Sequence, residues 1–588
     1  MGKVSTNKVS EIKRPASEFP RRFLPEEIDL ADWGKIEPFY QDLLDREPGS
    51  VSELVKWLLD LSELQAALGE EGSRRYIAMT CATDDEEIKK AYMHFVEHIE
   101  PGMKTRGNEL DNKFINNPHL RELDQFKYEI LIRDIRNHLE IFREENVPLQ
   151  TELAKLSQEY ISIQGAMTVE FQDQERTLQQ MLVFLEEPDR DIRRQSWELV
   201  SERRLQDADK LNNLYDKMLG LRQQAAENAG FDNYIEFRFK ELERFDYTPQ
   251  DCLRFHDAVE KCVMPAYNES LGRQRKTLGL STLRPYDLAV DPYSRPPLKP
   301  FSNPEELSSG CVKIFEKVDP DLGKIFEKMK DDGLLDLASH KGKAPGGYQS
   351  ALEEVRLPFI FMNAAGLNRD VYTLLHEGGH AFHSFASREE PLLHYRHAPM
   401  EFCEVASMGM ELIASNYLEE FYNQAEAARA RKKNLEDLLF LFPWIATIDA
   451  FQHWLYSHPG HSTQERTDCW LALMERFGGD VDYSGYEEGL KTAWQRQLHL
   501  FEVPFYYIEY GIAQLGALQI WRKAKSDLKK TIADYKAGLA LGGSRPLLEL
   551  FTAAGIKFDF SEETLGPLID DVVAEIEELA RLEKKEGP

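Results

Sequence analysis

The chain has 588 residues, 42% hydrophobic and 30% charged, an ordinary globular composition with length enough for two or more core-bearing lobes. Its 72 Lys and Arg against 102 Asp and Glu leave a formal charge of −30, which argues against nucleic-acid binding, since that needs basic surface. No run approaches the roughly 18 apolar residues of a membrane span. The six scattered cysteines read as free thiols of a reducing, cytoplasmic compartment.

In chain order, residues 1–22 are polar and basic without an apolar centre, so they do not read as a secretory signal. Apolar residues then recur at helical spacing over 52–79, 84–100, 118–145, 188–228 and 250–277. Tyr160 to Phe171 looks more strand-like, with Gly165 near a turn, as a small hairpin or a weak helix. The proline-rich stretch from Pro285 to Pro304 breaks the helical pattern and leads from an outer helical layer into a second lobe. Leu357 to Asn363 reads as a short apolar strand, Asn368-Arg369-Asp370 supplies turn and cap chemistry, and a helix begins at Val371. Further helices are predicted over 408–440, 465–477 and 562–584. The expected class is mainly α with a small sheet, divided into an N-terminal helical domain (1–200) and a catalytic domain (201–588).

The helix after Val371 carries His376-Glu377-Gly378-Gly379-His380. Positions four apart share a helix face, so His376 and His380 can aim at one metal, and Glu377 beside them can take a proton from a water there. Zinc, one per chain, is the expected occupant of such a pair. Two glycines inside a helix cost about 1 kcal/mol each against Ala. Either another backbone or a substrate approaches there, or a neighbouring helix packs tightly.

A catalytic zinc needs a third protein ligand and one open position. Ala386 and Pro399-Met400 stand where other His-Glu-x-x-His peptidases keep theirs. Glu401 to Glu411 forms a second helical stretch, with Glu404 and Glu411 seven apart on one face and Ser407 between them. A return helix would bring Glu404 against the histidines.

With these residues the chain resembles the oligoendopeptidase F and thimet oligopeptidase family of zinc metallopeptidases. The likeness rests on His376-Glu377-x-x-His380 followed by Phe402-x-Glu404-x-Ala406-Ser407, and extends from about residue 110 to the end. It implies that Glu404 is the third ligand, Glu377 the general base and Glu411 an acid supporting a ligand from outside. It implies a two-lobed helical zincin with a small sheet beside the active-site helix and a deep channel, open to short unstructured peptides and closed to folded proteins. Lys343-Ala344-Pro345-Gly346-Gly347-Tyr348 looks like the family's substrate loop, which makes Gly346, Gly347 and Tyr348 substrate-binding candidates. Arg284-Pro285-Tyr286-Asp287-Leu288 resembles the segment that opens the catalytic lobe.

His383, seven after His376, would close the site as a fourth ligand, so it is expected to support the site or sit in the core. His397, in the connecting loop, is placed to orient the Glu404 region or simply to be solvated. Hydrolysis also needs a donor for the oxyanion. The resemblance implies a Tyr, often with a His, from the run His499 to Gly511; His499, Tyr506, Tyr507 and Tyr510 remain unranked there. The expected activity is an endopeptidase acting on oligopeptides, without a nucleic-acid or membrane partner and with the oligomeric state open. A carboxypeptidase or dipeptidase, or a non-catalytic helical peptide-binding protein, are the alternatives.

Overall fold

Helix α1 (Val51–Cys81) starts where Ser50 accepts the Glu53 N–H at 3.3 Å, an N-cap that satisfies one of the free donors of the first turn. It belongs to an N-terminal helical layer with Trp33–Asp45, Glu86–His98, Glu100–Ile115 and Gln125–Ile141. This layer buries its own core, including Trp57, Leu64 and Phe114, and the core also takes in Leu392 and Tyr395 from far along the chain. The Tyr395 hydroxyl donates to the Lys127 carbonyl at 2.7 Å. The computed structural model describes residues 18–340, 342–344 and 346–585. Residues 1–17, on which most of the no-signal expectation rests, lie outside it, as does Pro345 of the glycine loop.

The ambiguous segment at 160–171 divides in two. Tyr160 to Gly165 finishes a helix begun at Asn146, and only β1 (Thr168–Phe171) is extended, pairing antiparallel with β2 (Gln174–Thr177). Gln172 and Asp173 both take positive φ between them, the two-residue hairpin turn whose twist suits the strands.

Two long helical predictions are interrupted. The 188–228 stretch is two helices, Arg190–Leu205 and Ala208–Asn228. The 250–277 stretch runs as α2 (Pro249–Ala258), a π-turn over Val259–Val263, then Met264–Thr277. Pro265 sits in the first turn of that last helix. Its missing N–H breaks the i→i−4 ladder, and the turn before it widens.

Helix α3 (Pro304–Val318) follows the proline-rich connection. A three-stranded sheet comes next, with β5 (Leu357–Ala364) between β3 (Leu335–Ala338), to which it is parallel, and β4 (Tyr348–Leu352), to which it is antiparallel. The first six residues of β5 are buried on both faces, which is why it reads as a continuous apolar run rather than an alternating one. β4 is an edge strand.

After the sheet come α4 (Asn368–Ser387) and α5 (Met400–Ala414). The predicted helix at 408–440 is thus the end of α5 and the start of α6 (Gln424–Ser457). Asn423 restarts the chain there through a capping box with Glu426. Among the described residues, α6 alone is long and apolar enough to cross a membrane, yet 72% of its most apolar window is buried inside the fold. Its apolarity belongs to the core, and the expectation that no run comes near that test needs this correction. Helices α7 (Tyr507–Ser526) and α8 (Leu528–Leu539) close the larger core, which runs from Ile77 to Leu579. The chain is 70% helical, with the three-stranded sheet beside α4.

Candidate metal centre

The register of α4 against the sheet is set at its first turn. Asp370 Oδ2 accepts the Ala365 and Leu367 N–H groups at 2.7 and 2.9 Å, so β5 feeds directly into the motif helix. One turn apart further on, His376 and His380 bring their Nε2 atoms to 3.2 Å. From α5, Glu404 Oε2 lies 3.5 Å from His376 Nε2 and 3.8 Å from His380 Nε2. Ligand atoms about 2.0–2.1 Å from a tetrahedral zinc stand about 3.3 Å from each other. The donor set therefore fits such an ion in both chemistry and spacing. The three side chains keep 24%, 17% and 10% of their surface exposed, which leaves one side of the cluster open.

The glycines explain how α5 comes so near. A Cβ on Gly379 would stand 2.6 Å from the Ala406 carbonyl oxygen and 2.6 Å from Ser407 Cα, and one on Gly378 would stand 2.5 Å from Phe315 Cζ of α3. Of the two readings left open, tight helix packing accounts for both. The Glu404 helix is held from behind by the buried Tyr535 hydroxyl of α8, which donates to the Ala406 carbonyl at 2.8 Å. Ser407 Oγ donates to Glu404 Oε2 at 3.0 Å and fixes the carboxylate.

Glu411 Oε1 lies 2.6 Å from His376 Nδ1. A carboxylate only accepts, so the proton sits on Nδ1 and Nε2 keeps its lone pair toward the cluster. Burial pulls His376 down, but the Glu411 bond and charge, then the charges of Glu404 and Glu377, outweigh it and raise the ring to about 9. His380 is held well below the ordinary histidine value by burial and by His376. Burial also raises Glu404, against the opposing His376 charge and Ser407 bond.

Glu377 is buried, with Oε2 unpartnered. Burial first, then the Glu404 and Glu411 charges, push its carboxyl to about 7, against the His376 charge and a bond from the Gln349 N–H of β4. That edge strand therefore lies beside Glu377. At the start of β4, Gly346 takes φ +98, and Asn363 Nδ2 of β5 donates to its carbonyl at 3.1 Å. Gly347 passes so close to β5 and α4 that a Cβ would stand 3.2 Å from Thr373 Cγ2 and 3.4 Å from Met362 Cβ. Tyr348 is engaged elsewhere. Its hydroxyl meets Thr80 Oγ1 of α1 at 2.6 Å and its ring stacks on Phe361, so the phenol ties the sheet to the N-terminal layer.

The other histidines stand apart from the ligand atoms. His383 is buried edge-on to Phe402 with Nε2 unpartnered, and burial drops it to about 4. His397 pairs with Glu353 at 2.7 Å rather than with the Glu404 region, because the loop carrying it folds back over the end of β4.

His499 and three tyrosines form an aromatic box around the start of α7, with the His499 ring 5.9, 4.8 and 6.0 Å from Tyr506, Tyr507 and Tyr510. The structure separates them. Burial and then the Glu404 carboxylate raise Tyr510 to about 12; Tyr506 is raised by burial, by Tyr510 and Glu509, and also by Glu404. Tyr507 instead turns its hydroxyl to Trp444 and Gln497, and His499 Nδ1 meets Gln497 Nε2 at 2.7 Å. Gln497 thus engages His499, while α7, with Tyr506 just before it and Tyr510 in its first turn, packs against α5, the helix of Glu404.

Long-range arginines that local pattern does not reveal hold this turn. Arg222 donates to the Leu500 and Phe501 carbonyls, Arg238 to Pro504 and Arg244 to Phe505. Arg244 also bonds Glu509 of α7 at 2.7 Å and approaches Glu401 of α5 to 3.9 Å, so it joins the aromatic turn to the ligand helix.

Residues 183–566 match the model of peptidase family M3, and residues 23–142 that of the peptidase M3 N-terminal domain. The chain is 23% identical over 491 residues to an oligoendopeptidase F homolog of Borreliella burgdorferi, covering 80% of this chain and 79% of that one. It is 24% identical over 326 residues to the oligopeptidase PepF of Bacillus subtilis, covering 54% of this chain and 47% of that protein. Among solved structures, PZ peptidase A with an inhibitor superposes with a TM-score of 0.84 at 29% identity over 95% of this chain and 99% of the other. A putative oligoendopeptidase F from Bacillus anthracis gives 0.81 at 25% identity over 95% and 98%.

Proposed function

Because the chain belongs to peptidase family M3, we propose that it is a zinc-dependent endopeptidase hydrolysing internal bonds of short, unstructured oligopeptides. The observation that carries this reading is the convergence of ligand atoms of His376, His380 and Glu404 to within 4.8 Å of one another, next along the helix from the buried Glu377, whose Oε2 has no hydrogen-bond partner. His376, His380 and Glu404 would hold the ion. When bound, zinc supplies a Lewis acid that makes water a better nucleophile and a carbonyl a better electrophile near neutral pH.

The chain's own groups do the rest. An extended peptide lies along the free edge of β4, its backbone pairing as an added strand, with Gly346, beside which a Cβ would meet only open space, leaving room for it. Glu377, aligned by the Gln349 N–H, accepts a proton from the attacking water and returns it to the amine nitrogen as the peptide bond breaks. Tyr510, with Tyr506 beside it, donates to the carbonyl oxygen as negative charge builds there. Glu411 keeps the His376 ring in one tautomer and orientation. The two separate cores support lobes flanking a channel that admits chains and excludes folded proteins. The six free cysteines support a cytoplasmic setting.

The test pairs metal analysis with cleavage of a fluorescent peptide blocked at both ends. Zinc in the purified protein, internal cleavage of the blocked peptide, and loss of both with a chelator support the reading. Cleavage only of peptides with free ends would make the enzyme a carboxypeptidase or dipeptidase instead.

A further inference from the structure

Behind the aromatic turn, the core contains a second set of metal-type side chains that takes no part in the steps above. Cys252 and His256 are four residues apart on α2, and Asp449 and His453 are four apart on α6. Each pair shares a helix face, and the packing of α2 against α6 turns the two faces together. Cys252 Sγ, an Asp449 carboxylate oxygen and a His453 ring nitrogen lie within 4.8 Å of one another, all three residues buried. His256 Nε2 stands 2.8 Å from Asp449 Oδ2, and His453 Nε2 stands 3.3 Å from the same oxygen.

A purely hydrogen-bonded His-Asp-His network would leave this cluster satisfied, and it is not. Asp449 Oδ1 and His453 Nε2 are both buried without a hydrogen-bond partner. The 3.3 Å contact is close enough for charge attraction but lacks bonding geometry. Native cores rarely leave such atoms unmet, and each one calls for a ligand or other explanation. A divalent cation among the three groups would satisfy the carboxylate and the imidazole together and give the buried thiol a role. Thiolate, imidazole and carboxylate in one set suit zinc rather than magnesium or calcium.

We propose that Cys252, Asp449 and His453 form a second, structural metal site for zinc, with His256 holding the Asp449 carboxylate from outside. Binding replaces the Cys252 thiol proton, which leaves to solvent, with a sulfur–zinc bond. Unlike the cluster on α4 and α5, this site has all three donors buried in the core, so no peptide reaches its fourth position and it stabilises rather than hydrolyses. Its position says what it stabilises. The His453 ring packs edge-on against Phe505 at 5.1 Å, and neighbouring Gln452 accepts the Phe505 N–H at 2.6 Å. Phe505, at φ 66, is the strained residue that launches Tyr506 and α7. The ion would brace the floor beneath the tyrosines.

The experiment counts metal in protein expressed with ample zinc and reads cobalt spectra of the same chains after exchange. Wild type should contain about two ions per chain, and Glu404→Ala and Cys252→Ser about one each. Since no cysteine donates to the α4–α5 cluster, thiolate-to-cobalt charge-transfer absorption should appear in Glu404→Ala and vanish when Cys252→Ser is added. A single ion in the zinc-replete wild type, none in Glu404→Ala, and no thiolate band in either would overturn the proposal. Those two proteins decide it even if Cys252→Ser does not fold. Failure here leaves the catalytic reading intact, because that reading is judged by the ion that Glu404→Ala removes.

Discussion

The two walls of the candidate site are built by opposite strategies. On the metal wall, the spacings within each helix are local: His376 and His380 are one turn apart, Ser407 bonds Glu404 three residues away, and Glu404 and Glu411 share one face of α5, with Tyr535 a distant support behind them. On the aromatic wall, Tyr506 and Tyr510 depend on a turn whose carbonyls are held by Arg222, Arg238 and Arg244, more than 250 residues earlier. A local wall can be precise with few partners. A wall assembled from distant segments forms only when the whole core has closed.

The largest effect should come from the proton acceptor between the walls. Glu377→Gln keeps the shape of the side chain but cannot take a proton, so kcat should fall by about 10²–10⁴-fold with zinc content unchanged. Near-normal turnover in a zinc-replete mutant would remove Glu377 from its role. The same residue sets a pH limb. Its carboxyl is raised from 4.5 to about 7, chiefly by burial, and the working form is the ionised one, so activity is lost as pH falls. A cation beside it favours ionisation, so the wild-type limb belongs between 4.5 and 7.

The second prediction ranks the aromatic wall. Tyr510→Phe should lower kcat by about 10²–10³-fold, as loss of one oxyanion donor does, whereas Tyr507→Phe, whose hydroxyl serves Trp444 and Gln497, should change it by less than about tenfold. Equal losses in both would mean that the Tyr510 hydroxyl has no special place at the oxyanion.

The contrast between the walls also governs what can be read from the chain before folding. The metal wall is legible because helical periodicity alone puts His376, His380, Glu404 and Glu411 on the right faces. The aromatic wall offers four candidates within twelve residues, and no local rule separates Tyr507 from Tyr510. That choice is made by Trp444, Gln497 and Glu404 across the fold. The motif glycines lie between these cases. Their oddity shows in the sequence, but the neighbours that require them, Ala406, Ser407 and Phe315, do not. Tyr348 is a substrate candidate by resemblance of its loop alone, and the bond of its hydroxyl to Thr80, 268 residues away, is invisible to any local pattern.

A third prediction probes the support behind the metal wall. Glu411 raises His376 to about 9, and a metal needs the ring's free Nε2, so ion and proton compete below that pH. Wild-type zinc affinity should climb roughly tenfold per pH unit toward about 9. In Glu411→Gln the amide oxygen can still accept the Nδ1–H, but the charge that holds the proton and makes Nε2 a stronger donor to the metal is gone. Chelator competition should then show an affinity loss of about 10–100-fold at high pH that shrinks toward pH 6. Identical pH slopes in the two proteins would show that Glu411 does not control the His376 proton.

The smallest expected effect tests how closely the local wall is fitted. Gly379→Ala gains about 1 kcal/mol of helix propensity, yet its methyl would meet the Ala406 carbonyl and Ser407 Cα, both at 2.6 Å and both backbone. Backbone cannot rotate aside, so α5 must shift, at an overpacking cost of about 1–3 kcal/mol. The net change in stability should be small and unfavourable, with a weakened hold on zinc because Glu404 moves with α5. Gly409→Ala, on the facing helix α5, is the control. Its methyl would meet only the flexible tip of Ile520 at 3.3 Å, so the helix gain of up to about 1 kcal/mol survives. If thermal unfolding shows both variants stabilised alike and zinc affinity stays level, the close approach of α5 to α4 has slack, and the spacing of Glu404 from the histidines is set elsewhere.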